Sequence, residues 1–269
     1  MQNYHTLREI QSAGVIDLIS TLRTVEINPI DVCNRSCNFC PRSESNYSNG
    51  SFINLSLIEK IATDLSKISF NGRISFAGFG EPLLYKQLSI AINTIKNIVK
   101  TVTYIEIITN ADYLTTKKIK DLESAGCTHI TVSMYDCDIS SKIAPLFYNS
   151  SIVLTFKHCY NSFDYINRPD IYSQKKALYI VRSCYIPFYK LFIDYNGQVL
   201  LCANDWGRTA VVGDIHVESI KEIWLGDKIT EYRNMLVKQS RTCSPCKFCD
   251  VNGTLMGKES FDMLSCSIT

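Results

Sequence analysis

Three features that the sequence lacks narrow the classes of protein that it can encode. No segment approaches the roughly 20 consecutive apolar residues that span a bilayer, so we expect no membrane partner. The basic residues are dispersed and the formal net charge is only +2, so the chain offers no basic patch for nucleic acid. Charged residues such as Arg8, Glu9 and Asp17 interrupt the N-terminal segment. Because this pattern does not fit a secretory signal peptide, we expect a cytoplasmic protein.

Cysteine, in contrast, is abundant. The chain has 269 residues, of which 12 are cysteine, and 46% are apolar. A chain of this length can bury one large core, or a core with a small additional domain. In a protein without an export signal, so many cysteines indicate metal ligation or redox chemistry rather than disulfides.

Strand and helix patterns alternate through the first 160 residues. Period-two and period-3.6 apolar patterns predict strands at residues 24–31, 73–80, 104–109, 129–134 and 152–156, and helices at 54–68, 85–99, 115–125 and 139–146. Strands that alternate with helices of this length predict βαβ units and a parallel sheet.

The pattern weakens around residues 161–180, which are polar and rich in tyrosine. We therefore predict two domains, residues 1–170 and residues 171–269. The second has a hairpin with Asn196-Gly197 as its turn, a helix at 220–236, and a cysteine cluster at 241–250. The prediction is a large α/β body followed by a small cysteine-bearing domain.

Cys33, Cys37 and Cys40 form a C-x3-C-x2-C motif directly after the first predicted strand. Zinc sites favour C-x2-C pairs, whereas a [4Fe-4S] cluster usually has four cysteine ligands. Three thiolates on one loop would leave one iron open to another ligand. The motif resembles that of the radical S-adenosylmethionine (radical SAM) enzymes, C-x3-C-x-aromatic-C, with Phe39 at the aromatic position. The resemblance implies a partial (β/α)6-type parallel barrel, a [4Fe-4S] cluster held by these cysteines, and S-adenosylmethionine (SAM) on its open iron.

The next strand ends carry short motifs similar to those that hold SAM in this family. Gly78-Phe79-Gly80-Glu81-Pro82 resembles Gly-Gly-Glu-Pro, whose backbone and acidic residue hold the amino group of the methionine moiety. Phe79 departs from that pattern, which matters little where the main chain does the binding. Thr109-Asn110-Ala111-Asp112 is similar to a Thr-Asn-Gly segment near the cofactor. The resemblance implies cofactor contacts by Phe39, Gly78, Phe79, Gly80, Glu81, Thr109, Asn110, Asp112 and Ser133.

A second cysteine set follows in the smaller domain. The predicted hairpin supplies two thiolates, and a downstream C-x2-C supplies two more, so spacing alone permits either zinc or a [4Fe-4S] cluster. Beside the first motif, this pattern resembles the SPASM/Twitch extension of radical SAM enzymes, which binds auxiliary [4Fe-4S] clusters. The cysteines are too few for the full SPASM form with two auxiliary clusters, so a Twitch domain with one is expected. The resemblance implies the ligands Cys184, Cys202, Cys246 and Cys249, and leaves Cys243 surplus.

The resemblance implies two [4Fe-4S] clusters, SAM, and an electron donor such as flavodoxin or ferredoxin. We expect oxidation of a secondary alcohol of a sugar or aminocyclitol to a ketone, with the auxiliary cluster as electron acceptor and Arg168 orienting the substrate. Two alternative reactions remain: redox-neutral epimerisation with Cys243 as hydrogen donor, and modification of a ribosomal peptide. Only a short segment precedes the first strand, so we do not expect a leader-binding domain. A non-catalytic iron–sulfur or zinc protein is a further alternative, which metal content would distinguish.

Overall fold

The structure is a computed structural model that describes residues 17–37, 40–44, 50–135, 138–158, 183–249 and 257–268. The chain divides into two compact units. The sheet unit comprises Glu26–Tyr165 and Asp194–Gly197, and the cavity unit comprises Met1–Val25, Ile166–Ile193 and Gln198–Thr269. The boundary predicted at residue 170 lies outside the described residues and stays a prediction.

A mainly parallel β-sheet forms the sheet unit. Its strands are β1 (Thr24–Ile27), β2 (Arg73–Phe76), β3 (Tyr104–Thr109), β4 (His129–Met134) and β5 (Val153–His158). They lie in the order β5-β4-β3-β2-β1, and β2 to β5 are parallel. Because parallel strands end at the same edge of a sheet, the loops that follow them gather there.

Helices connect these strands, as the sequence pattern predicts. They are α1 (Leu55–Lys67), α2 (Leu88–Ile98), α3 (Thr116–Ala125) and α4 (Ile139–Ile143). The Asn54 side chain caps α1 by accepting a hydrogen bond from the Leu57 amide, and Thr115 caps α3 in the same way. Such a cap is worth about 1 kcal/mol. These local signals explain why the helices begin close to the predicted positions.

The apolar stripe of α1 shows how the unit is stabilised. Ile58, Ile61 and Leu65 recur at helical spacing and are fully buried, and α1 packs against α2. Burying one such side chain contributes roughly 1.5–3 kcal/mol. The apolar stripe therefore determines which face of α1 is buried in the core.

In its described residues, the cavity unit contains three short antiparallel strands and four α-helices. They are β6 (Lys190–Ile193), β7 (Gln198–Leu200), β8 (Val211–Asp214), α5 (Ile186–Tyr189), α6 (Ile220–Trp224), α7 (Asp227–Val237) and α8 (Lys258–Ile268). The predicted Asn196-Gly197 turn joins β6 and β7, and Gly197 has a φ of +86°, a left-handed conformation that glycine adopts without steric cost.

A buried arginine organises the core of the cavity unit. Arg233 is fully buried and lies 4.1 Å from the ring centroid of Trp224. Its guanidinium donates to the carbonyl oxygens of Trp224 (2.6 Å) and Pro187 (2.9 Å). The Trp224 indole N–H donates to Thr21 Oγ1 at 3.0 Å. Burial lowers the pKa of Arg233 to about 9, and the carbonyl contacts and the indole ring offset part of the cost of this buried charge.

Several predicted elements differ from the structure in extent; the strand predicted at 73–80 ends at Phe76, and the helix predicted at 139–146 ends at Ile143. The single helix predicted at 220–236 is two helices, because Gly226 adopts an extended conformation (φ −75°, ψ 163°) as the N-cap of α7. The first strand ends at Ile27 rather than at residue 31, two residues before Pro29, which has no backbone N–H for a sheet hydrogen bond. Within the described part of the chain, no helix is long and apolar enough to cross a membrane.

Candidate functional site

The three cysteines of the first motif lie on the loop that follows β1. Cys33, Cys37 and Cys40 are partly buried, and the Cys40 amide donates to the Cys37 carbonyl at 2.8 Å. The Arg35 amide donates to Cys33 Sγ at 3.4 Å. Burial raises the pKa of the Cys37 thiol, and the neighbouring Cys40 and Cys33 raise it further. The three thiols are therefore close enough to influence each other's charge. Phe39, predicted beside them, lies outside the described residues.

Contacts with the Gly-Phe-Gly-Glu-Pro loop hold both ends of this cysteine loop. Before Cys33, the Val32 carbonyl accepts a hydrogen bond from the Glu81 amide at 2.8 Å. After Cys40, the Arg42 guanidinium donates to the Phe79 carbonyl at 3.2 Å. The two predicted motifs thus form one structure at the ends of β1 and β2.

Gly80 permits this close approach. A Cβ atom at position 80 would lie 2.0 Å from the Ile30 carbonyl oxygen and 2.7 Å from the Val32 carbonyl oxygen. Both neighbours are backbone atoms, which cannot rotate away. Gly78 is constrained as well: its φ is +134°, and its Cβ would lie 2.7 Å from the Asn28 side chain.

Asn28 holds the Gly-Phe-Gly-Glu-Pro loop through hydrogen bonds to its backbone, a role that the sequence does not predict. The side chain is fully buried, and its Oδ1 accepts hydrogen bonds from the amides of Phe79 (3.0 Å) and Gly80 (3.4 Å). Its Nδ2 donates to Asp194 Oδ1 at 2.7 Å. The only signal in the sequence is a polar residue directly after an apolar strand.

Glu81 is almost completely buried, at 3% exposure, and joins the ends of β2 and β3. Its Oε1 accepts from the Thr109 hydroxyl (2.6 Å) and the Leu83 amide (3.0 Å). Its Oε2 accepts from the Asn110 amide (2.9 Å). Burial raises the pKa of Glu81, although these hydrogen bonds oppose the shift. The carboxylate therefore positions the β3 end directly.

The segment after β3 docks onto the cysteine loop. Arg35 donates two hydrogen bonds to the Asp112 carboxylate, from Nε (2.6 Å) and from Nη2 (2.5 Å). Asn34 Nδ2 donates to Asp112 Oδ2 at 2.6 Å. The hydrogen bonds from Arg35 lower the pKa of Asp112. Asn110 Nδ2 donates to Asn34 Oδ1 at 2.9 Å and lies 3.8 Å from Cys33 Sγ. We call the Arg35, Asn34 and Asp112 contacts the loop lock.

Ser133 lies at the carboxyl end of β4 and is buried. The β3–β4 register places Thr109 beside Val132, so Ser133 follows at the same sheet edge as the Thr109-Asn110 segment. The β4–β5 register places it opposite Lys157. The predicted cofactor residues within the described part of the sheet unit thus lie at the ends of β2, β3 and β4.

In the cavity unit, the structure brings together the four cysteines that were predicted as auxiliary ligands. They line one cavity together with Arg241; the four are Cys184, Cys202, Cys246 and Cys249. Burial raises the pKa of Cys202 well above its usual value, with the thiols of Cys249 and Cys246 as further causes. Burial also raises the pKa of Cys246 to about 12.

The ten described cysteines form no disulfide. Among the described residues, no group of three or more His, Cys, Asp or Glu side chains is arranged to hold a single metal ion. Four sulfur donors around one apolar-walled space, with no carboxylate or imidazole in the lining, do fit a thiolate-bound iron–sulfur cluster.

Of the two residues predicted to be catalytic, Cys243 is described by the structure and Arg168 is not. Cys243 is exposed, is absent from the cavity lining, and has the Thr242 hydroxyl 3.9 Å from its sulfur. Arg168 lies outside the described residues. The roles predicted for both stay predictions.

Comparisons with known proteins agree with this arrangement. Residues 27–138 match the model of the Radical SAM superfamily, and residues 184–250 match SPASM, an iron-sulfur cluster-binding domain. The S-adenosyl-L-methionine-dependent 2-deoxy-scyllo-inosamine dehydrogenase of Niallia circulans is 30% identical in an alignment 262 residues long, which covers 92% of this chain and 99% of the relative.

Solved structures give the same result for the fold. BtrN in complex with AdoMet and 2-DOIA is 28% identical, with a TM-score of 0.73, over 86% of this chain and 93% of that one. The structure of anSMEcpe with bound AdoMet has a TM-score of 0.57 over 90% of this chain and 96% of that one; at 14% identity it supports the fold alone.

The fold prediction, a partial barrel followed by a small cluster-binding domain, is confirmed. In this family the radical SAM domain binds a [4Fe-4S] cluster and SAM, and the SPASM domain binds further iron–sulfur clusters. The chain belongs to the radical SAM enzymes with a SPASM domain.

Proposed function

We propose that this enzyme oxidises a secondary alcohol of an aminocyclitol, or of a closely related aminated or hydroxylated sugar, to a ketone. The observation that carries the proposal is the cavity lined by Cys184, Cys202, Cys246 and Cys249, because a second cluster provides a destination for the electron that alcohol oxidation releases. The relative from Niallia circulans, a dehydrogenase matched over 99% of its length, supports the same reaction class.

Cys33, Cys37 and Cys40 would hold the first [4Fe-4S] cluster, with the fourth iron left for SAM. The loop that carries them is held at both ends, by the Glu81 amide and by Arg42. A held loop keeps three thiolates in position before iron arrives, which reduces the ordering cost of binding.

The sheet edge beside this loop would bind SAM. The backbone of Gly78 and Gly80, the side chain of Asn110, and Ser133 provide hydrogen-bonding groups there. Glu81 already accepts three hydrogen bonds from the protein, so we assign its carboxylate a positioning role.

When bound, the first cluster and SAM supply a 5′-deoxyadenosyl radical that removes hydrogen, and the auxiliary cluster supplies a one-electron acceptor. The protein must hold the substrate C–H close to the radical carbon and exclude other hydrogen donors. We propose that Arg168 orients the substrate through its guanidinium. With a pKa above 12, arginine is a poor base in water, so orientation is the role that suits it.

The first cluster must be reduced by an external protein. We propose a flavodoxin or a ferredoxin as this electron donor, because both are one-electron carriers. The test is turnover with each donor and its reductase in place of dithionite. Failure of both donors to support SAM cleavage, with dithionite still active, would remove this part of the proposal.

A comparison of wild-type enzyme with Cys246→Ala tests the proposed reaction. Wild-type enzyme, incubated anaerobically with reductant, SAM and 2-deoxy-scyllo-inosamine, should form ketone and 5′-deoxyadenosine in equal amounts. Cys246→Ala should lose about four of about eight irons per chain and form 5′-deoxyadenosine without ketone. Equal ketone yields from both proteins would contradict the proposed role of the auxiliary site. An epimer as the wild-type product would instead favour the redox-neutral alternative.

A further inference from the structure

A buried cation lies in the wall of the four-cysteine cavity. Arg241 is 8% exposed and lines the cavity together with the four thiols. The sequence assigns this residue no role, because Arg241 opens the cysteine cluster at 241–250 without belonging to its C-x2-C motif.

Two hydrogen bonds fix the guanidinium between the segments that carry the cysteines. Arg241 Nη1 donates to the Cys249 carbonyl at 3.1 Å, and Nη2 donates to the Ser183 carbonyl at 3.3 Å. Ser183 directly precedes Cys184. The positive charge is therefore held by backbone acceptors on two sides of the cavity and cannot swing into solvent without breaking both contacts.

A second charged group near these thiols is Asp205, which is fully buried. Its carboxylate accepts hydrogen bonds from the Ala210 amide at 2.8 Å and from the Thr209 amide and hydroxyl, each at 3.0 Å. Arg241 is part of the cavity lining, whereas Asp205 is not. The positive charge is therefore the charged group that faces the thiols directly.

We propose that Arg241 raises the reduction potential of the auxiliary cluster by placing a buried positive charge beside its thiolate ligands. This inference rests on the proposed auxiliary cluster. It assigns Arg241 the role of making that cluster a better electron acceptor. Reduction adds one negative charge to a cluster that is already anionic. A fixed cation nearby stabilises the reduced form more than the oxidised form, and net charge around a cluster is one of the factors that set its potential. In the water-poor wall of the cavity, solvent screens this attraction less than at the surface.

The test is an EPR-monitored redox titration of the full-length enzyme with both clusters and SAM bound. The auxiliary signal is identified as the one that does not change when SAM is added. Arg241→Gln removes the charge, Arg241→Lys keeps it, and Lys238→Gln removes an exposed cation of the same unit as a matched control. For Arg241→Gln, we expect the ratio of reduced to oxidised auxiliary cluster at a fixed potential to fall at least about tenfold, which corresponds to about 59 mV for one electron. In Arg241→Lys, the reduction potential of the auxiliary cluster should shift by less than half as much. In Lys238→Gln, it should stay unchanged.

Three results would overturn the inference. The first is a wild-type potential in Arg241→Gln with all irons present. The second is an equal shift in the Gln and Lys variants, which would assign the effect to lost hydrogen bonds. The third is loss of auxiliary iron in Arg241→Gln alone, which would make Arg241 a structural clamp. A wild-type enzyme with only about four irons per chain would instead remove the proposed auxiliary cluster itself, so the two failures are distinguishable.

Discussion

Replacement of Gly80 by alanine probes the contact that joins the two motifs of the sheet unit. The new Cβ would lie 2.0 Å from the Ile30 carbonyl oxygen, whereas real Cβ atoms stay beyond about 3.0 Å. The two backbone segments must therefore separate by about 1 Å. The hydrogen bond from the Glu81 amide to the Val32 carbonyl, now 2.8 Å long, lies in the path of that movement and would stretch beyond the usual limit of about 3.2 Å.

The functional effect of Gly80→Ala follows from where the movement occurs. Val32 directly precedes Cys33, so the cysteine loop and the proposed SAM-binding backbone would move apart. Overpacking of this kind costs roughly 1–3 kcal/mol, and a misplacement of about 1 Å at a reacting site can reduce rate about 100-fold. We expect 5′-deoxyadenosine formation at saturating SAM to fall about 100-fold, while the auxiliary cluster is retained.

Gly50→Ala is the matched control for Gly80→Ala. A Cβ at Gly50 meets no atom of the described residues within 4 Å, although its φ of +76° makes alanine slightly strained. It should lose a little stability and keep its rate of 5′-deoxyadenosine formation. A Gly80→Ala enzyme within about twofold of the wild-type rate, with wild-type iron content, would refute the proposed dependence on this contact.

Three further changes test separate parts of the structure. Gln239 has a left-handed φ of +55° at the end of α7, a conformation that glycine adopts without steric cost. Gln239→Gly should therefore raise the free energy of unfolding, measured by denaturation, by about 1 kcal/mol. The control is Gln239→Ala, which should match wild type. Asp112→Asn removes the ion pair with Arg35 and should cost about 1 kcal/mol at pH 7 because the pair is partly exposed. The pKa of Asp112 is lowered in the folded protein. The difference in free energy of unfolding between wild type and Asp112→Asn should therefore be fully present above the ordinary Asp pKa of about 3.9 and vanish as pH falls through the folded pKa. A difference that grows in acid would contradict the loop lock. Cys243→Ala should keep all irons and the wild-type ratio of ketone to 5′-deoxyadenosine. If this variant cleaves SAM without releasing product, that result would instead support Cys243 as a hydrogen donor.

The cysteines of the two predicted ligand sets could be located from the sequence because their spacing is local or lies in recognisable motifs; their role as ligands stays a prediction. The Cys33–Cys40 motif lies within eight residues, and its loop could be placed at a strand end from hydrophobic periodicity alone. The four cavity cysteines needed the family resemblance as well, since Cys184 and Cys249 are far apart in the chain. Helix positions were also predictable, except where Gly226 interrupts a continuous apolar pattern.

Supporting residues could not be predicted, because their partners are distant in sequence and carry no motif. Asn28 bonds to groups 51 and 166 positions away. Asp112 was predicted to contact cofactor, whereas the structure pairs it with Arg35, 77 positions earlier; its contact with cofactor stays a prediction. Arg241 is a further example, since its hydrogen bonds to the Cys249 and Ser183 carbonyls involve backbone atoms that every sequence has.

The central claim is that a radical derived from SAM takes hydrogen from a carbinol carbon and that the substrate leaves as a ketone. The most direct measurement is mass spectrometry of the products from 2-deoxy-scyllo-inosamine with deuterium at the carbinol position that is oxidised. We expect one deuterium in 5′-deoxyadenosine and one equivalent of deuterium-free ketone for each SAM cleaved. Unlabelled 5′-deoxyadenosine, or recovery of an alcohol that has exchanged its deuterium for a solvent hydrogen, would contradict the account.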